Sequence, residues 1–269
     1  MLEAKNIRAA WGKNIVLNGI NLTVAPKEIL CLSGPNGSGK STLLSVMAGL
    51  AGEDRLRFGG SITLDGKDIY SMKPIELAQK TATLLQSEYQ TWNYNVTDVI
   101  FQGRYCRSKN GRTWVSQEDK DIVQKIIKDL EIENIAEKNV FEISGGEYQK
   151  VRIARCLAQE PDYLLLDEPV ANLDFAYQDE LFALLKKIAV EKNIGVLVSI
   201  HDLNTASRFC DKLALLQKNG PCYTGAGEDL LKPDLLKQIY PGTEFEVFQH
   251  PAYHCLQVYT LPSGAGVLK

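Results

Sequence analysis

No apolar run in this chain approaches the ~18 residues needed to span a bilayer, so work at a membrane would need another component to hold it there. The N-terminus, Met1-Leu-Glu-Ala-Lys5, has no charged-then-apolar leader pattern. A basic block is missing too. Lys and Arg total 30 against 33 Asp and Glu, a formal net charge of −3, which argues against a nucleic-acid surface. The six cysteines, at 31, 106, 156, 210, 222 and 255, show no C-x-x-C spacing. Several fall inside apolar runs, the disposition of reduced, packed thiols in a cytosolic protein. Histidine occurs at three positions, and His250 and His254, beside Cys255, lack a third ligand and a metal-site motif. What is present is 269 residues with 45% hydrophobic content, enough for one large domain or two small ones around a filled core.

Against that background one stretch stands out. Gly34-Pro35-Asn36-Gly37-Ser38-Gly39-Lys40-Ser41 fits G-x-x-x-x-G-K-[ST], the phosphate-binding loop. Its glycines let the backbone curl so that successive N–H groups point at phosphate oxygens. Lys40 offers an ammonium to the β- and γ-phosphates and Ser41 a hydroxyl to Mg²⁺. The context agrees: Glu28 to Ser33 reads as a short buried strand, and a helix begins at Thr42 with its positive end facing the phosphates. The pattern predicts binding of ATP or GTP.

The rest of the chain reads as α/β. Leu2 to Ala10 and Val16 to Val24 predict two strands joined around Trp11-Gly12-Lys13-Asn14. Trp11 fits either an edge-strand aromatic covering apolar surface or a flat platform for a nucleotide base. Asp65-Gly66 marks a hairpin turn within Gly60 to Ile69. Pro74 to Lys80 predicts a short helix, and Thr81 to Leu85 a buried strand ending on Gln86, either a loop residue or a ligand reaching Mg²⁺ or water. From Ser87 to Glu160 strand-like runs disappear. Val96 to Gly103 and Ser116 to Leu130 read as helices, the second with Ile122, Ile126, Ile127 and Leu130 at helical spacing, and Arg104 to Thr113 as an exposed loop. This segment predicts a helical subdomain inserted at about 87–160.

Ser144-Gly145-Gly146-Glu147 opens a helix that stops before Pro161. In isolation it reads as an ordinary cap; it is also an anion site, with a hydroxyl, free N–H groups and a helix dipole facing one way. Tyr163 to Glu168 is an apolar strand ending in two acids. Asp167 suits the Mg²⁺ shell and Glu168 the polarisation of an attacking water, though surface acids after a strand give the same pattern. Asp174 leads into an amphipathic helix. Gly195 to Ile200 is a further buried strand ending on His201, a structural histidine or a site residue at the carboxyl edge where parallel sheets bind ligands. Leu213 to Gln217 and Cys222 to Thr224 predict a last hairpin, followed by one short Leu-rich helix and a β-like tail from Phe245.

Taken in order, Trp11, the loop at 34–41, Gln86, Ser144–Glu147, Asp167-Glu168, Asp174 and His201 resemble the ATP-binding cassette of ABC transporters, from residue 2 to about 225. The resemblance implies a P-loop NTPase (RecA-like) core with an N-terminal antiparallel β subdomain and the inserted α-helical subdomain, and a C-terminal helix and tail over 226–269. It makes Trp11 the adenine-stacking aromatic, Gly34 to Thr42 the phosphate loop and Ser144-Gly145-Gly146-Glu147 the signature. Asp174 becomes the D-loop aspartate, Glu168, His201 and Gln86 the hydrolytic group, and Ser41, Gln86 and Asp167 the Mg²⁺ ligands. It further implies a head-to-tail pair of chains, the phosphate loop of each covered by the signature of the other, with the helical subdomain docked on permease subunits at the inner face of the cell membrane. Ile143 for leucine and Ala171-Asn172 for the commoner Ser-Ala depart from the pattern. Gly103-Arg104-Tyr105, His201-Asp-Leu-Asn-Thr-Ala206 and the tail are similar to importers of iron–siderophore, haem and cobalamin type, which work with a substrate-binding protein. A soluble ABC ATPase of iron–sulfur cluster assembly is the alternative, against which Tyr148 to Arg155 follows the transporter pattern. DNA-repair and translation ABC proteins need long coiled coils or a second cassette, and neither is present.

Overall fold

The computed structural model describes residues 1–51, 56–86, 93–108, 115–170 and 173–261. β1 (Leu2–Trp11) and β2 (Asn14–Val24) form an antiparallel pair, and Pro26 separates them from β3 (Ile29–Ser33), every residue of which is buried. The phosphate loop then runs into α1 (Lys40–Met47). β4 (Leu56–Leu64) and β5 (Lys67–Asp68) meet at Asp65-Gly66, both at positive φ as a two-residue hairpin turn requires. α2 (Pro74–Ala78) precedes β6 (Thr81–Leu84). α3 (Val96–Phe101), α4 (Gln117–Asp129) and α5 (Gly145–Ala158) fill the connection from β6 to β7 (Tyr163–Asp167), the helical insertion expected. α6 (Phe175–Glu191), β8 (Gly195–Ser199), α7 (Leu203–Phe209), β9 (Lys212–Leu216) and β10 (Cys222–Gly225) complete the core.

Two sheets result. The N-terminal one has the order β2-β1-β4-β5 and is antiparallel. The central one has the order β10-β9-β3-β8-β7-β6, parallel except for β10. Its inner strands are apolar throughout because both faces are covered. Leu30, Leu32, Leu165 and Leu197 pack toward α1 and the N-terminal sheet. Cys31, Leu164, Leu166, Val196 and Val198 pack toward α5, α6 and the insertion. The parallel register pairs Leu166 with Val198 and Asp167 with Ser199, while the Ile200 amide donates to the Leu32 carbonyl. The carboxyl ends of β3, β8 and β7 therefore finish level, and whatever follows each strand shares one edge.

Three expectations need correction. Arg104 to Thr113 is not an exposed loop over its described part. Gln102–Arg107 is a 3-10 helix continuing α3, which stops at Phe101 rather than Gly103, and Arg104 is buried. Its guanidinium pairs with Asp119 (2.8 Å) and Glu160 (2.8 Å) and donates to the Ala158 carbonyl (2.7 Å), so charge and backbone partners make the burial tolerable. The single tail helix is two, α8 (Gly227–Leu230) and α9 (Pro233–Ile239), because Pro233 starts a new helix and holds Lys232 extended. The tail strands, β11 (Glu244–Gln249) and β12 (Leu256–Leu261), pair as an antiparallel hairpin. His250 is engaged at the hairpin turn, where its Nδ1 accepts from the Ala252 and Tyr253 amides. Residues 87–92, 109–114 and Ala171-Asn172 lie outside the described residues.

Candidate active site

The phosphate loop curls over the carboxyl end of β3. Gly39, at φ +102°, lies so close to β2 that a Cβ there would sit 2.7 Å from Val16 Cγ1. The loop thus rests on the N-terminal sheet. Lys40 is buried, and its ammonium donates to the loop's own Gly34 (2.9 Å) and Pro35 (3.3 Å) carbonyls. Burial lowers its pKa, against the pull of Glu168 and Asp167. Pro35 is half-buried, Asn36, Gly37 and Ser41 are exposed, and Thr42 is half-buried. Ser38 Oγ is buried with no hydrogen-bond partner. An orphaned hydroxyl in the same loop as an ammonium hydrogen-bonded only to carbonyls fits an anionic occupant, and phosphate oxygens supply what both groups lack. Trp11, at the end of β1, donates through Nε1 to Thr42 Oγ1 (3.3 Å) and keeps 44% of its surface open. Its ring is therefore an exposed plane beside the start of α1.

Three predicted residues meet at the next strand ends. Glu168 follows β7 and accepts at Oε2 from Gln86 Nε2 (2.7 Å), while Oε1 meets His201 Nε2. The backbone of Glu168 is left-handed (φ 49°), an unfavourable conformation for a residue with a Cβ. Ser199, the last residue of β8, stabilises that turn. Its buried Oγ accepts from the Glu168 amide (2.8 Å) and donates to Asp167 Oδ1 (2.6 Å). One hydroxyl thus fixes both acids, leaving Asp167's other oxygen and the Gln86 carbonyl oxygen for further ligands. Nothing in the sequence pointed to Ser199, since a serine inside an apolar strand carries no motif. Ser199→Ala would leave a buried carboxylate oxygen and an amide unpaired. It is expected to cost about 1–3 kcal/mol of stability, read as a lower denaturation midpoint, and to slow turnover with it.

The remaining predicted residues form a second group. Ser144 caps α5 in a reciprocal capping box: the Ser144 amide and hydroxyl donate to Glu147 Oε2 (2.8 and 2.7 Å). Those bonds, the backbone amide's foremost, hold the Glu147 carboxyl below its usual range. Asp174 caps α6 by accepting from the Tyr177 amide (3.0 Å). The two helix starts abut, for a Cβ on Gly146 would lie 3.0 Å from the Tyr177 ring. Lys150 and Glu180 pair across the same helices at 2.7 Å. Ser144, Gly145 and Asp174 are exposed, and among the described residues no hydrogen bond or ion pair joins this group to the phosphate loop.

A phosphate loop with an acid pair, an amide and an imidazole on one parallel-sheet edge defines a P-loop nucleotide hydrolase. The family described as ABC transporter matches residues 17–171, and the chain belongs to it. It is accordingly an ATP-binding cassette ATPase. The chain is 37% identical over 258 residues to a hemin import ATP-binding protein of Bordetella parapertussis, covering 93% of this chain and 95% of that one. It is 33% identical to a petrobactin import ATP-binding protein of Bacillus subtilis, with 90% and 94% covered. An inward-facing structure of a metal-chelate type ABC transporter superposes with a TM-score of 0.81 over 97% of both chains at 24% identity, a likeness of fold. Among the described residues no helix is long and apolar enough to cross a membrane.

Proposed function

We propose that this chain is the ATP-hydrolysing subunit of an importer for an iron chelate, haem or a siderophore, or for cobalamin. It would work beneath a membrane permease fed by a substrate-binding protein, on the cytoplasmic face of the cell membrane. The cargo reading rests on the relatives' names together with the extent of the match, which reaches beyond the cassette into the tail.

The chemistry follows from the two groups of residues. The loop amides, Ser38 and Lys40 would hold the phosphates, and Trp11 would stack on the base. Ser41, Asp167 and Gln86 suit Mg²⁺, which when bound neutralises charge on the phosphate oxygens. Glu168 would take a proton from the attacking water, with Gln86 and His201 engaging its two carboxylate oxygens. The exposed starts of α5 and α6 are unjoined to the loop of their own chain. The reading that uses them is a pair of chains, each signature closing the other's nucleotide. In this scheme residues 1–225 form the cassette and 226–269 an appendage.

The test is co-expression with the permease encoded beside it. Co-purification as a membrane complex, with turnover raised by the loaded binding protein, is expected. A soluble scaffold as the stable partner would overturn the importer reading in favour of iron–sulfur cluster assembly.

A further inference from the structure

The His201–Ala206 stretch and the tail meet at α7. Asp202 caps α7, its two carboxylate oxygens accepting from the Asn204 (3.1 Å) and Thr205 (2.9 Å) amides. His201 is the residue just before that cap, so the placement of the first turn of α7 sets where the imidazole meets Glu168. Leu203 and Ala206 are buried and fix the depth of the helix against the core. At its far end Arg208 pairs with Asp179 of α6 (2.7 Å) and Phe209 stacks on Phe182 (5.4 Å).

Asn204 does something different. Its side chain leaves the helix and takes both backbone groups of one residue in β12. Nδ2 donates to the Val258 carbonyl (3.2 Å), and Oδ1 accepts from the Val258 amide (2.7 Å). An amide that engages the N–H and C=O of a single strand residue replaces a neighbouring strand on that edge of the hairpin. The tail meets the core again at Tyr240, which follows α9, packs on the core and contacts the ring of Phe245 in β11 (5.8 Å). A cleft of about 270 Å³ opens between the His201–Asn204 turn and the hairpin, lined also by Tyr240, Thr243 and Thr260. With that gap present, the amide pair is, among the described residues, the hydrogen-bonded link between hairpin and turn.

We infer that Asn204 is a positioning residue for hydrolysis: by clasping Val258 of the tail hairpin it fixes the first turn of α7 and, through it, the seat of His201 against Glu168. The inference rests on the reading of His201 as a member of the hydrolytic group. It gives the tail a task in turnover.

The test is a double-mutant cycle on the full chain with Mg-ATP as substrate. Asn204→Ala is expected to lower kcat by about tenfold with KM nearly unchanged, the scale of a slightly misplaced group. In a His201→Ala background the same change should cost nothing further, because the positioned group is gone. Asn204→Asp keeps the acceptor for the Val258 amide and the side-chain shape, and should retain an intermediate kcat; it carries the test if the alanine variant does not fold. An unaltered kcat in the Asn204 variants, or the same loss in both backgrounds, would overturn the clasp while a slow His201→Ala leaves the histidine's role intact. Full turnover by His201→Ala would instead remove the premise.

Discussion

Glu168→Gln will bind Mg-ATP as the unaltered chain does and turn it over about 10²–10⁴-fold more slowly, the usual worth of a positioned base. The substitution keeps the length and shape of the side chain. It removes the carboxylate that Gln86 Nε2 donates to at 2.7 Å and that His201 Nε2 meets on its other oxygen. The amide keeps one accepting oxygen in place of two and takes no proton from water. The backbone should be undisturbed, because the left-handed turn at residue 168 is fastened through its amide to Ser199 Oγ and not through the side chain. Nucleotide affinity should persist because the loop, not Glu168, is the proposed phosphate site. Equilibrium binding and steady-state turnover measured on one preparation check both halves. Hydrolysis at the normal rate would show that Glu168 is not the base.

Lys40→Ala is expected to weaken Mg-ATP binding by about 10²-fold, the cost of removing one partner from a buried charged contact. Lys40 is the only cation in the 34–41 loop. In the structure its ammonium donates to the Gly34 and Pro35 carbonyls, with no direct ion pair among the described residues. Burial already works against that ammonium, so its loss should leave the unliganded chain folded, with an unchanged circular dichroism spectrum. Titration calorimetry measures the affinity. An unchanged dissociation constant would refute the loop's assignment.

The legible part of the fold is the part governed by short-range rules. Fully buried parallel strands must be apolar runs, so β3, β7 and β8 could be read within a residue or two of their observed ends. The capping box at Ser144 and the cap at Asp174 are local patterns in the same sense. What escaped reading depends on partners distant in sequence. Arg104 sits in a polar stretch and looks solvated; Asp119, Ala158 and Glu160 together make its burial possible, and none marks it locally. Ser199 is invisible for the same reason, since its value comes from the register that sets β8 beside β7. The split between α8 and α9, by contrast, has a local cause, for Pro233 starts the second helix. At the candidate site, residue types suggest the chemistry, while the meeting of Glu168, Gln86 and His201 apart from an exposed pair of helix starts needed the fold.

That separation carries the central claim, that each nucleotide site is completed by a second copy of the chain. Mixing two inactive variants tests it most directly. One carries Lys40→Ala with an intact signature, the other Ser144→Arg with an intact loop. In a head-to-tail pair the mixed dimer has one site with both parts intact, so mixing should restore ATP hydrolysis that neither variant shows alone. If mixed dimers form, as shown by pull-down through different tags, and no activity returns, the phosphate loop and the signature do not meet across two chains.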